Sequence, residues 1–258
     1  MVPPLGDKVD IGGIGLTVTT YEDATNRIID AAKQRRSYAM SALAVHGLME
    51  AVGDPAFREQ VRSIDLVTPD GQPVRWAMNA LHNTGLEDRV YGPDLTQLVI
   101  AVAAKEGVGI YLFGSKPETC DTFAANIMAE HPDAIISGIQ PDRFRDATPE
   151  EDQADIDRIN ASGAGVVLVG RGCPRQEKWV ADHRGKVNAA MMAVGAAFDY
   201  GAGTLDEPPK WMQDNGLQWL YRLGQEPERL WKRYLFTNSA FVAMVGRELV
   251  AKRLGRGS

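Results

Sequence analysis

The chain has 258 residues and a net charge of −6, and its hydrophobic (44%) and charged (24%) fractions are ordinary for a globular protein, which excludes bulk disorder. Its apolar runs are shorter than the ~20 residues of a bilayer span, and Met1–Asp7 has neither the basic nor the apolar region of a signal peptide. Two cysteines make no disulfide framework and four histidines lack metal-ligand spacing, so we expect a reduced, cytoplasmic protein without a metal or cofactor.

Basic residues concentrate at the C-terminal end of the chain. Residues 222–258 carry eight Lys or Arg against three acidic residues, so this tail is basic while the rest of the chain is acidic. A basic tail on an acidic body suits an anionic partner such as a phosphate group or a membrane surface. The alternative is a solvated helix face without a partner.

Seven short runs of apolar or β-branched residues predict β-strands. They are Gly15–Thr19, Tyr38–Ala44, Ile64–Thr68, Gly109–Phe113, Ala134–Gly138, Val166–Gly170 and Ala189–Val194. Most are continuous apolar runs, as in parallel strands covered on both faces, and helical patterns lie between them. We therefore predict an α/β fold: a mostly parallel Rossmann-like sheet flanked by helices, with ligands bound at the carboxyl ends of its strands.

Helix ends can be predicted in two places. An apolar stripe at helical spacing begins at Leu95, so Asp94 is expected to cap this helix and Gly107 to end it. Thr148-Pro149-Glu150-Glu151 has the pattern of a second helix N-terminus.

The character of the sequence changes after Gly201. Residues 208–253 lack strand signals and predict two or three helices that mix aromatic, leucine and basic positions. With Glu207-Pro208-Pro209 as a linker, the predicted organisation is an α/β catalytic domain, residues 1–206, and a helical, basic C-terminal appendage, residues 207–258.

The segment Thr68-Pro69-Asp70-Gly71-Gln72-Pro73 places a carboxylate at the end of a predicted strand, beside the start of a helix. A carboxylate in that position can accept a proton from a substrate hydroxyl as a general base. The alternative is a helix N-cap, in which Asp70 only binds backbone N–H groups.

A glycine-containing loop follows the strongest predicted strand and opens a helix. Gly170 and Gly172 let the backbone approach a ligand closely, and free N–H groups there suit a phosphate. A dinucleotide fingerprint would need glycine where Arg175 stands, and the Gly-Lys-Ser/Thr of a P-loop is absent. The alternative is a tight strand-to-helix turn.

Other candidates lie at neighbouring strand and helix ends. Gly114 and Ser115 are placed to contact a phosphate or a sugar, although a plain turn is equally consistent with the sequence. Arg89 is a candidate for binding a phosphate. Asp94 can bind a hydroxyl or cap its helix, and Asp199 can bind substrate or hold a loop.

Together these segments resemble the WecG/TagA/CpsF family, glycosyltransferase family 26, over roughly residues 10–240. The resemblance is carried by Pro69-Asp70-Gly71, Arg89-Val90-x-Gly92-x-Asp94, Gly170-x-Gly172-x-Pro174-x-Gln176-Glu177, Val194-Gly195-x-x-Phe198-Asp199, Gly201-x-Gly203, Trp219–Leu223 and Glu226–Tyr234. Several matching segments in the same order are far more specific than any one of them.

The resemblance implies an inverting, metal-independent transfer of an N-acetylmannosamine-type or related hexose from a UDP-sugar to a sugar on a polyprenyl diphosphate, in bacterial cell-surface or exopolysaccharide synthesis. It implies a peripheral enzyme on the inner face of the cell membrane, without a nucleic-acid partner. Self-association through the apolar appendage is a further expectation.

The resemblance also implies roles for individual residues. Asp70 is implied as the general base, Ser41 as a residue near the acceptor, and Gly170, Gly172, Pro174 and Gln176 as substrate-site residues. The basic appendage residues implied to close over the diphosphate are Arg222, Arg229, Lys232 and Arg233.

Three departures from the family pattern bear on sugar specificity more than on the reaction type. Leu43 stands where Asn is common, Glu207-Pro208 where Arg-Ala is common, and Gln218 where Glu is usual. Two other functions compete with glycosyl transfer. One is a nucleotide-dependent oxidoreductase, which the missing third glycine disfavours, and the other is a non-catalytic nucleotide- or lipid-binding module with a decayed site.

Overall fold

A computed structural model of the protein describes residues 2–255, except for the side chains of Arg229, Lys232 and Arg233. In that part of the chain there are eight strands and twelve helices. The strands are β1 (Lys8–Ile11), β2 (Ile14–Thr17), β3 (Tyr38–Leu43), β4 (Leu66–Pro69), β5 (Ile110–Gly114), β6 (Ile136–Gln140), β7 (Val166–Gly170) and β8 (Ala190–Ala193). The helices are α1 (Tyr21–Lys33), α2 (Val45–Gly53), α3 (Pro55–Ser63), α4 (Gln72–His82), α5 (Gly92–Lys105), α6 (Pro117–Glu130), α7 (Pro149–Ala161), α8 (Arg175–Asp182), α9 (Ala197–Gly201), α10 (Lys210–Asp214), α11 (Gln218–Gln225) and α12 (Pro227–Arg253).

Six strands form one all-parallel sheet in the order β4-β3-β8-β7-β5-β6, flanked by helices. This confirms the predicted α/β, Rossmann-like fold. The side chains of β7 enter two separate cores, Val167 and Val169 on one face and Val166 and Leu168 on the other. Burial on both faces explains why this strand is a continuous apolar run in the sequence.

The N-terminal strands do not join that sheet. The strand predicted at Gly15–Thr19 begins at Ile14 and pairs antiparallel with β1, which the sequence analysis missed, in a separate two-stranded sheet. Gly12 and Gly13 both have positive φ (63° and 85°), the backbone that a tight hairpin turn of matching twist requires. The chain therefore returns on itself instead of crossing over to a parallel partner.

The two predicted helix starts have different outcomes. Thr148 and Glu151 form a complete capping box at α7, which confirms that prediction. The prediction that Asp94 caps α5 is wrong, because the N-cap of α5 is Tyr91 and makes no side-chain cap. The Asp94 carboxylate instead accepts a 3.1 Å hydrogen bond from the Tyr21 hydroxyl.

Three helices, α10 to α12, follow residue 208, as predicted. Helix α12 packs against α2 and α4, and its Phe241 is only 4% exposed because it enters the core on one face of the sheet. Glu248 accepts a 3.1 Å hydrogen bond from the Gly12 N–H at the hairpin turn. Among residues 2–255, no helix has both the length and the apolarity needed to cross a bilayer.

Candidate active site

A cavity of about 460 Å³ opens at the carboxyl edge of the sheet, beneath α11 and the start of α12. Residues at the carboxyl ends of five of the parallel strands contribute to its wall. Ala44, Asp70, Ser115 and Val194 directly follow β3, β4, β5 and β8, and Gly170 is the last residue of β7. The site therefore lies where the fold class predicts a ligand site.

Seven of the twelve predicted site residues whose side chains the structure describes line this cavity. Those that line it are Asp70, Ser115, Gly170, Gly172, Gln176, Asp199 and Arg222. Those that lie outside its lining are Ser41, Arg89, Asp94, Gly114 and Pro174. The side chains of Arg229, Lys232 and Arg233 lie outside the described residues. The functional roles of all these residues remain predictions.

The Asp70 carboxylate is fixed by the start of α5. Its Oδ1 accepts a 2.6 Å hydrogen bond from the Gly92 N–H, the first amide of that helix. The alternative in which Asp70 caps the following helix is wrong, because the N-cap of α4 is Gly71 and makes no side-chain cap. Burial raises the pKa of Asp70, against the opposing effects of the Gly92 N–H and of the positive charges of Arg89 and Arg222.

Arg222, on α11, carries a positive charge into the cavity. Its side chain is about three-quarters buried, 24% exposed, and its Nε has no hydrogen-bond partner. Its Nη2 lies 3.7 Å from the Glu226 carboxylate, which is too long for a strong charge-assisted bond. Because the charge of Arg222 also opposes the rise in the pKa of Asp70, this carboxyl and this cation interact within one cavity.

Arg89 joins the loop before α5 to the appendage. Its side chain is only 4% exposed, and its guanidinium lies over the Tyr91 ring, 4.2 Å from the centroid. It donates hydrogen bonds to Gln218 and, at 3.1 Å, to Gln213. The departure at Gln218 therefore places a neutral amide against Arg89, where the family usually has a carboxylate.

The glycine loop differs from its predicted form in one respect. The Gly172 N–H donates a 3.1 Å hydrogen bond to Gln176 Oε1, so this amide is not free for a phosphate. Gly172 has φ of +74°, a backbone that favours glycine. Arg171 and Arg175 bind Asp142 at 3.2 and 2.7 Å, and neither lines the cavity.

Glu177 is a buried acidic residue of the cavity that was not among the predicted site residues. It is 1% exposed, and its Oε1 accepts a 2.9 Å hydrogen bond from Gln176 Nε2. Its Oε2 is buried without a hydrogen-bond partner. Burial raises the pKa of Glu177, against hydrogen bonding from Gln176 and contributions of Cys173 and Ser41. The signal in the sequence that could have identified Glu177 is its position directly after Gln176 in the motif that begins at Gly170.

Helix N-termini surround the cavity. In the described chain α2, α4, α5 and α8 begin at its wall, and none of these four has a side-chain N-cap. Asp70 takes the first amide of α5, whereas the other three helices keep uncapped N–H groups and the positive end of their dipoles at the site. This arrangement favours an anionic ligand.

The grouping that a metal ion needs is not found among the described residues, where no three His, Cys, Asp or Glu side chains cluster suitably. Comparison with protein families identifies the chain. The model of the Glycosyl transferase WecG/TagA/CpsF family matches residues 9–255, nearly the whole chain.

The fold and the site thus define an α/β protein with a polar cavity at the carboxyl edge of its sheet. The chain belongs to the Glycosyl transferase WecG/TagA/CpsF family. Membership implies a glycosyltransferase of cell-surface polysaccharide synthesis that uses a nucleotide-sugar donor and a lipid-linked acceptor. The oxidoreductase alternative has no support from this match.

Proposed function

We propose that the protein is an inverting, metal-independent hexosyltransferase. It moves an N-acetylmannosamine-type or related sugar from a UDP-sugar to a sugar on a polyprenyl diphosphate. The observation that carries this proposal is a buried carboxylate, Asp70, oriented by the Gly92 amide in a cavity that Arg222 of the appendage also lines.

Asp70 is the general base of the proposed reaction. Its raised pKa makes the ionised carboxylate a stronger proton acceptor than an exposed aspartate. As the acceptor hydroxyl oxygen bonds to the anomeric carbon, its proton moves to Asp70 and the bond from that carbon to the UDP oxygen breaks. One such displacement inverts the anomeric configuration.

Positive charge stabilises the diphosphate groups in this proposal. The leaving UDP gains negative charge as its bond to the sugar breaks, so the site needs donors and cations aimed at phosphate oxygens. Arg222 and the uncapped starts of α2, α4 and α8 supply them. We propose the same role for Arg229, Lys232 and Arg233.

The appendage is the proposed membrane-contacting part, with its boundary near residue 207. Large apolar side chains on α10, α11 and α12 are exposed to solvent; they include Trp211, Leu220, Trp231, Leu235, Phe236 and Val242. Apolar side chains beside basic ones bind an anionic lipid surface through burial and charge together. We propose that this surface rests on the inner face of the cell membrane, where the acceptor lies, and that it also supports self-association.

The direct test is an assay of UDP release with a panel of UDP-sugars and a short-chain polyprenyl-diphosphate-linked N-acetylglucosamine, with and without EDTA. We expect transfer from one or a few N-acetylated donors, unaffected by EDTA, with the product anomer inverted by NMR. Retention of configuration or loss of activity in EDTA would contradict the mechanism. Binding of UDP without transfer from any donor would favour the non-catalytic module.

A further inference from the structure

Three groups along α8 form a hydrogen-bond chain that ends at a carboxyl in the cavity wall. The Gly172 N–H can only donate, so the Gln176 atom 3.1 Å away is the amide oxygen. The amide nitrogen of Gln176 then donates to Glu177 Oε1 at 2.9 Å. Because of these hydrogen bonds Oε1 is an acceptor, so Oε2 is the oxygen that carries the proton when Glu177 is neutral.

The second oxygen of Glu177 has no partner. Oε2 is buried, as is the side chain as a whole, yet it makes no hydrogen bond, and the residue lines the cavity. The Ser41 hydroxyl on β3 is fully buried and lies close to the Glu177 carboxyl, whose pKa it lowers. Native proteins leave few buried polar atoms unsatisfied, and an unpaired oxygen in a cavity wall, such as Glu177 Oε2, indicates a place for a ligand group.

The two carboxyls of the cavity are held by different elements of the fold. Glu177 lies on α8, in the cavity wall that also contains Leu43 and Gly47. Asp70 is held by the first amide of α5. Since Asp70 takes the proton in the proposed reaction, Glu177 is left to bind a part of the substrate that does not react.

We propose that Glu177 is a specificity-determining residue whose Oε2 binds a hydroxyl or acetamido group of a substrate sugar, with Ser41, which does not line the cavity, as a positioning residue for this carboxyl. This inference rests on the proposed function. A buried site built to hydrogen-bond one substituent discriminates strongly against sugars that lack it, because its own groups are then left unpaired. The sugar belongs either to the donor or to the acceptor, and the two sources can be told apart.

The test compares Glu177→Met, which keeps the shape and removes the hydrogen bonds, with Glu177→Gln, which keeps a donor at this position. Calorimetry gives the Kd of UDP, of UDP-N-acetylglucosamine and of UDP-N-acetylmannosamine, and steady-state kinetics gives the KM of the acceptor. Ser41→Ala provides a second, smaller change. Binding of UDP in each variant reports that the fold and the nucleotide site are intact.

We expect Glu177→Met to weaken sugar binding by roughly tenfold, the equivalent of one good hydrogen bond, while the Kd of UDP is unchanged. Glu177→Gln is expected to stay close to the native protein, and Ser41→Ala to fall between. If the Kd of the UDP-sugar rises relative to the Kd of UDP, Glu177 binds the donor sugar. If only the KM of the acceptor rises, Glu177 binds the acceptor sugar.

Equal weakening of UDP and UDP-sugar, or no effect on either sugar, would overturn the inference and leave the proposed function standing. A native protein that binds no UDP would overturn the proposed function itself. If Glu177→Met does not fold, Ser41→Ala decides, and unchanged sugar binding in that variant overturns the inference.

Discussion

Two buried carboxyls in the same cavity, Asp70 and Glu177, have pKa values raised by the same cause, burial, but are bound differently. Asp70 Oδ1 accepts a hydrogen bond from a helix amide, and the charges of two arginines oppose the rise in pKa that burial causes. Glu177 Oε1 accepts a hydrogen bond from the neutral amide of Gln176, and Oε2 keeps no hydrogen-bond partner.

Two similar groups in one cavity can therefore have opposite chemical roles. Helix amides and arginines favour the ionised carboxylate, which a general base needs. At Glu177 burial outweighs the hydrogen bonds from Gln176 and Ser41, and a protonated carboxyl can donate a hydrogen bond through its second oxygen. In the proposed roles, the surroundings of each carboxyl, rather than its residue type, separate catalysis from recognition.

The largest effect is expected from Asp70→Asn. Asparagine keeps the size of the side chain and can accept the hydrogen bond from Gly92, but it cannot take a proton. We expect kcat to fall by ~10²-fold or more with UDP binding retained. Glu177→Gln is the matched amide substitution in the same cavity and is expected to keep most of kcat. Equal losses in the two variants would remove the proposed distinction.

The next effect concerns the cation beside the base. Arg222→Ala is expected to lower kcat/KM for the lipid-linked acceptor by roughly 10- to 100-fold, the range for a hydrogen bond to a charged group. Arg247→Ala, on the exposed surface of α12, makes the same change of charge away from the cavity and is the control. Similar losses in both would mean that charge acts through membrane attraction instead.

The pH dependence separates the two carboxyls by sign. Because Asp70 acts when ionised, kcat is expected to rise as the pH increases through the raised pKa of Asp70. The charged groups that act on this carboxyl are Arg89, Arg222 and Asp94. In Asp70→Asn this acid limb of the kcat profile should disappear from the residual activity. A limb that persists would assign it to another group.

For Glu177 the expected pH dependence has the opposite sign. Its protonated form is the donor, so the affinity for the sugar is expected to fall as pH rises through the raised pKa. Glu177→Gln should abolish this decline in calorimetric titrations across the pH range. The other titratable group facing Glu177 is the Cys173 thiol, and Cys173→Ser is expected to leave the decline in place.

The smallest effect is on stability. Ionisation of Asp70 and Glu177 is disfavoured in the folded protein, so stability is lost as pH rises through their raised pKa values. Asp70→Asn and Glu177→Gln are each expected to raise Tm at neutral pH by a few degrees, ~2–4 °C for each kcal/mol in a chain of this size. The gain should vanish at low pH.

Glu151→Gln is the control of opposite sign. Arg145 and the Thr148 N–H hold the pKa of Glu151 at about 2, so its ionised form favours folding. Its amide variant is expected to lower Tm above that pKa. A fall in Tm for Asp70→Asn as well would contradict the sign of the Asp70 shift.

The sheet and the main site were predictable because their signals are local. Buried parallel strands such as Val166–Gly170 are continuous apolar runs, and residues that follow such strands meet at one edge. The β1–β2 hairpin was missed because β1 is short and half exposed, although Gly12-Gly13 between two Ile residues is a hairpin signal.

Contacts between distant segments could not be read from the sequence. Glu177 is a surface-type residue that is buried, and it lies close to Ser41, on a strand far away in the chain. Likewise, Arg89 looked like a phosphate ligand, and only the packing of α10 and α11 shows it bound to Gln213 and Gln218. Side-chain partners of this kind are set by tertiary packing, which residue patterns do not encode.

The hydrogen bond between Asp70 and Gly92 also determines at which stage the Asp70 side chain loses its conformational entropy. A free aspartate samples several rotamers and would have to be immobilised each time a substrate reacts. Here the first amide of α5 holds the carboxylate. The ordering therefore accompanies the folding of the chain, and in the proposed reaction every turnover would start from a base that is already oriented.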